Sequence, residues 1–94
     1  MAQSPRPVDL RLVIPTGAPY HTVAGELAAK FAEYSGADAH AAENLARAVE
    51  VLASKLAAEG ANGSIALTME VRERELTVTG ESGSFTEQAT IPLH

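Results

Sequence analysis

The chain has 94 residues, which is enough for one domain and no more. Hydrophobic residues at 46% and charged residues at 20% are ordinary globular composition, and the absence of cysteine excludes disulfide scaffolds, thiolate metal sites and a cysteine nucleophile. Seven Lys+Arg against twelve Asp+Glu give a formal charge of −5, so there is no basic face for nucleic acid or for an anionic membrane.

No run approaches the roughly 20 apolar residues of a membrane span. The opening MAQSPRPVDL has no apolar signal-peptide core, and a soluble, cytoplasmic protein is expected. Residues 1–7, with two prolines and nothing to bury, predict a disordered start; residues 8–94 predict one domain.

Val8, Leu10, Leu12 and Ile14 alternate with Asp9, Arg11 and Val13, the period of a strand with one buried face. Pro15 stops it, and Thr16 to Pro19 form a turn into a helix. Between Tyr20 and Tyr34 the large apolar residues Val23, Leu27, Phe31 and Tyr34 fall on one helical stripe. Gly25 in this helix costs about 1 kcal/mol against alanine. Together with Ala24, Ala28 and Ala32 it permits a close neighbour. Glu26 and Lys30 are spaced as an i,i+4 pair. Ser35–Gly36 ends the helix, with Gly36 in the left-handed position.

Asp38 predicts the N-cap of a second helix. Leu45, Val49, Leu52 and Leu56 form its apolar stripe, with Glu43–Arg47 and Lys55–Glu59 as surface pairs. Gly60 ends it, and Ala61–Asn62–Gly63 is a turn. Ile65, Leu67, Met69 and Val71 then alternate with polar residues, as do Leu76 and Val78. A charged tip at Glu73–Arg74 joins the two runs as an antiparallel hairpin. Gly80 to Ser84 predicts a flexible loop. Ala89, Ile91 and Leu93 form a last strand, and Pro92, which cannot donate to a ladder, points to an edge position or a strand end.

The order is β-α-α-β-β-β. The expected fold is an α/β two-layer sandwich, a four-stranded mixed sheet with two helices on one face. The expected core is Leu10, Leu12, Ile14, Leu27, Phe31, Leu45, Val49, Leu52, Leu56, Ile65, Leu67, Met69, Leu76 and Val78.

This order, with these local sequences, resembles the small anti-sigma-factor serine kinases of the GHKL (histidine-kinase-like) ATPase superfamily. Leu10–Pro15 followed by Tyr20 is similar to that family's opening strand and helix start, and Gly36-Ala37-Asp38 to its helix break. Ala48-Val49 opens a segment resembling its N-box helix, Ile65–Thr79 the hairpin that follows, and Gly80–Phe85 its first glycine box. The resemblance spans residues 8–85. It implies an ATP and magnesium site, a catalytic glutamate, a sigma factor or antagonist as partner, and a homodimer built on the first strand and helix.

The ligand positions depart from that pattern. The resemblance places the glutamate at Val51 and the magnesium-binding asparagine at Lys55. Shifting by one residue brings Glu50 to the first position but Ser54 to the second. The adenine-binding aspartate falls on Gly80, and the two following glycines on Ser82 and Ser84; only Phe85 is kept. Nine residues after Phe85 leave room for one strand and no ATP lid. Phosphoryl transfer needs magnesium and a cradle of donors, so the implied chain is a pseudo-kinase without a catalytic residue, cofactor or metal.

Other constellations are weaker. His40 and Glu43 stand at i,i+3, a spacing that can serve a metal, but a glutamate in a first turn is already favoured by the helix dipole. A metal site would need the three histidines, His21, His40 and His94, close together, and His94, the last residue of the sequence, needs no function. Gly80–Gly83 lacks the spacing and lysine of a phosphate loop, and Ser82 and Ser84 lack a nucleophile elbow.

The leading expectation is therefore a non-catalytic regulatory module that binds a protein partner and forms a homodimer. The alternatives are an ATP-binding kinase-like protein with an altered site using Lys55 and the Gly80–Gly83 loop, and an unrelated small structural or ligand-binding module.

Overall fold

A computed structural model describes residues 8–60 and 63–93. The expected disordered start at residues 1–7, the Ala61–Asn62 part of the turn, the Glu59 side chain and His94 lie outside the described residues. The elements are β1 (Val8–Pro15), α1 (Ala18–Tyr34), α2 (Ala39–Gly60), β2 (Ser64–Arg72), β3 (Glu75–Ser82) and β4 (Phe85–Pro92).

The four strands form one sheet in the order β1-β2-β3-β4, so β1 and β4 are the edges. The helices pack on one face of it, as the layer argument predicts. The expectation of a mixed sheet is corrected, because every neighbouring pair is antiparallel. The cause is the helical connection. Gly25 of α1 lies over Ala46 and Glu50, while His21 lies over Ser54, so α1 and α2 run in opposite directions. Two such helices return the chain to the end where β1 finished, and β2 can only run back against it.

The helix ends follow local chemistry. Asp38 caps α2 as predicted: its Oδ1 accepts from the Ala41 N–H at 2.8 Å. At the end of α1, Gly36 takes φ +107°. The Gly36 N–H then reaches the Glu33 carbonyl at 3.1 Å and the Ala37 N–H the Ala32 carbonyl at 2.9 Å. This is a Schellman closure, which favours glycine at the left-handed position. The Glu43–Arg47 pair closes at 3.7 Å on the surface, whereas Glu26 and Lys30 do not form an ion pair. Exposed pairs contribute little in either case.

The core sits between α2 and the middle strands. Leu45, Val49, Leu52 and Leu56 from α2 meet Ile65, Leu67 and Met69 of β2 and Leu76 and Val78 of β3, all buried as predicted. Ile91 and Leu93 close it below. Four predicted core residues are corrected. Leu10 and Leu27 are exposed, and Leu12 and Phe31 are only partly buried against the core. In their place α1 buries Ala24, Gly25, Ala28 and Ala32.

The reason is the closeness of the two helices. A Cβ at Gly25 would lie 2.8 Å from the Ala46 carbonyl oxygen, so only small residues fit along the seam. Three large residues of α1 each precede a small one: Val23 before Ala24, Leu27 before Ala28, Phe31 before Ala32. One residue is about 100° of helix rotation. With the small stripe on α2, the large stripe is turned aside and cannot share the seam.

The predicted flexible loop at Gly80–Ser84 is also corrected. β3 runs through Gly80 to Ser82, a tight turn at Gly83–Ser84 follows, and Ser82 pairs with Phe85 at the start of β4.

Candidate functional site

Of the positions that the resemblance assigns to a nucleotide, Val51 and Lys55 share one groove, and Gly80 lies beneath its Leu52 and beside its Glu87. Val51 and Lys55 are exposed on α2 and line a shallow groove of about 310 Å³ with Arg47, Ala48, Leu52 and the β4 residues Glu87, Gln88 and Ala89. Gly80, Ser82 and Ser84 are not part of it. Gly80 lies in the sheet under α2. A Cβ there would come within 2.5 Å of Leu52 Cδ2 and 2.7 Å of Leu56 Cδ1, so leucine methyl groups occupy the space above the glycine. Ser82 is buried, and its hydroxyl donates to the Ser64 carbonyl at 3.0 Å, which ties β3 to the start of β2. Ser84 is exposed in the β3–β4 turn. Gly80 and Ser82 are thus explained by packing and by a structural hydrogen bond.

His40 and Glu43 acquire no third ligand, and no cluster of three or more metal-ligating side chains occurs among the described residues. No helix among them is long and apolar enough to cross a membrane.

The outer side of α1 has a different character. Val23 is 43% exposed, Leu27 40%, Tyr20 45% and Tyr34 83%. A depression of about 440 Å³ along this helix is lined by Val23, Glu26, Leu27, Ala29 and Lys30. Beneath, α1 packs mainly on α2 and meets the sheet chiefly at β1, whereas α2 lies across β3 and β4. The roof over β1 is therefore incomplete, and Leu10 stays 36% exposed on the helix side of an edge strand. The backbone of β1 on the side away from β2 has no strand partner among the described residues. An apolar helix stripe thus stands beside an open strand edge, a combination that favours strand addition and helix packing by a protein partner.

The opposite sheet face is polar. Thr68, Thr77, Thr79, Thr86 and Thr90 share it with Glu70, Arg72 and Gln88, and the Thr77 and Thr90 hydroxyls meet at 3.2 Å across β3 and β4. A shallow pocket of about 310 Å³ there is lined by Glu70, Arg72, Glu75, Thr77 and Gln88. Such a face is readily solvated in an antiparallel sheet.

One contact escapes sequence reasoning. His21, in the first turns of α1, places Nε2 2.9 Å from the Thr16 carbonyl oxygen and Nδ1 3.5 Å from Ser54 Oγ. Residues 33 apart give no motif; only the antiparallel helix seam brings them together.

Compared with protein-family models, the chain matches none, and no curated protein matches it significantly.

Proposed function

We propose that this chain is a non-catalytic, protein-binding regulatory module acting in the cytoplasm, and that its binding surface is the outer stripe of α1 with the free edge of β1. The observation that carries this reading is the orientation of α1: the helix spends its alanines and a glycine on the seam and leaves Val23, Leu27 and Tyr34 outside. Unpartnered apolar stripes of this kind mark association surfaces. The partner is a second copy of the chain. Pairing two β1 edges removes both open edges at once, and a two-fold axis there sets one α1 stripe against the other. The regulatory part of the reading comes from the sequence resemblance to anti-sigma-factor kinases alone, with a sigma factor or antagonist as further protein partner.

The non-catalytic half is supported by the leucine methyl groups that fill the space over Gly80 and by the exposed Val51 and Lys55 at the positions where the resemblance expects a glutamate and an asparagine. Titration calorimetry with ATP and magnesium tests it. No binding heat is expected up to millimolar nucleotide. Micromolar binding would favour the altered kinase-like site, and Lys55→Ala would then have to abolish it.

A further inference from the structure

We propose that Ser54 is a nucleophile activated by His21, able to accept an acyl group from small activated carboxylic esters. This goes beyond the protein-binding role, whose non-catalytic character concerns phosphoryl transfer alone, and does not depend on it. The Thr16 carbonyl oxygen can only accept, so the imidazole nitrogen 2.9 Å away, Nε2, carries the hydrogen. In the neutral ring the other nitrogen, Nδ1, is then a free acceptor. Nδ1 faces the Ser54 hydroxyl at 3.5 Å, which makes the hydroxyl the donor.

A nucleophile, a base within reach and a third group that holds the base in one tautomer are the parts of an activated serine. Separations of this length in a ligand-free site shorten when a substrate is engaged. The helices hold the pair in place. Gly25 lies one turn along α1 from His21 and lets α1 come down onto Ala46 and Glu50, one to two turns along α2 from Ser54. Ser54 is exposed and His21 half-buried, so a small reagent can reach the hydroxyl.

In the first step Ser54 Oγ forms a bond to the ester carbonyl carbon while His21 Nδ1 takes the hydroxyl proton. The bond from that carbon to the leaving oxygen breaks, and the leaving alcohol departs with the proton from Nδ1. Water, deprotonated by the same nitrogen, then attacks acyl-Ser54. The carboxylic acid leaves, and the proton returns to Oγ.

The test uses the full chain with a fluorophosphonate probe, which traps an activated serine by displacing fluoride, and with p-nitrophenyl acetate. Peptide mass mapping should find one phosphonyl adduct, at Ser54, and an acetyl group at the same position after acid quench. Ser54→Ala should lose both. His21→Gln and His21→Asn keep the hydroxyl but remove the base, and should label at least about 100-fold more slowly, the lower end of general-base catalysis. Urea-unfolded wild-type chain should not label. No adduct on the folded wild type, an adduct elsewhere, or equal labelling of the histidine variants or of the unfolded chain overturns the proposal.

Discussion

Leu56 and Gly80 should behave as one packing unit. Leu56 is fully buried, and its Cδ1 would lie 2.7 Å from a Cβ added at Gly80. Leu56→Ala alone removes a buried side chain and leaves a cavity, which costs about 2–5 kcal/mol. The whole domain holds only about 5–14 kcal/mol, at roughly 0.05–0.15 kcal/mol for each of 94 residues. That single truncation therefore consumes roughly a fifth to a half of a mid-range stability. Gly80→Ala alone overpacks against Leu52 and Leu56 and costs about 1–3 kcal/mol. In the double variant the Leu56 methyl groups are gone and the new methyl at residue 80 enters the space they left. The cost of the double variant should fall short of the sum of the two single costs by about 1 kcal/mol, within the range seen for residues in contact. Urea unfolding followed by circular dichroism, at one fixed protein concentration, measures the cycle. Costs that add to within about 0.3–0.5 kcal/mol would show two uncoupled sites and refute the placement of α2 on Gly80.

Gly25→Val puts branched methyl groups against the Ala46 carbonyl, a backbone atom that cannot swing away; thermal melting should show a loss of about 1–3 kcal/mol, and an unchanged midpoint would mean the seam is looser than described. Glu73 and Arg74 turn the β2–β3 hairpin with φ of 50° and 67°, values that suit an asparagine followed by a glycine. The double substitution Glu73→Asn with Arg74→Gly should therefore raise stability by about 1 kcal/mol in urea titration, and a loss would contradict the turn geometry. Asp38→Ala removes the α2 cap and should cost about 1 kcal/mol, with Asp38→Asn nearly neutral; equal losses in both would assign the effect to charge and not to the cap.

Helix α2 and strands β2 and β3 are readable because each carries a single strong period. The α2 stripe from Leu45 to Leu56 and the alternation in β2 and β3 have one apolar face apiece, so pattern and burial agree. In α1 two stripes compete, one large and one small, about 100° apart. Hydrophobicity favours burying Leu27 and Phe31, but closeness of approach favours Ala28 and Ala32, and the approach distance is a tertiary property. The sheet direction was legible in principle, since two consecutive helices reverse the chain before β2, yet strand order alone left it open. Gly80 shows the limit from the other side. A glycine beside two serines and a second glycine reads as a loop until the leucines above it are seen. His21 and Ser54 have no sequence signal at all, because their meeting depends on helix register.

Whether the outer stripe of α1 joins two chains is decided by sedimentation equilibrium at micromolar concentration, comparing the wild type with Leu27→Asp. Leu27 is 40% exposed, so a charge there leaves the core intact, which circular dichroism confirms on the same samples. A dimer joined through this stripe gives a wild-type mass of twice the 9.8 kDa chain and a return to the single-chain value in Leu27→Asp. A wild-type mass of 9.8 kDa at every concentration, or a dimer that Leu27→Asp leaves undiminished, would contradict it.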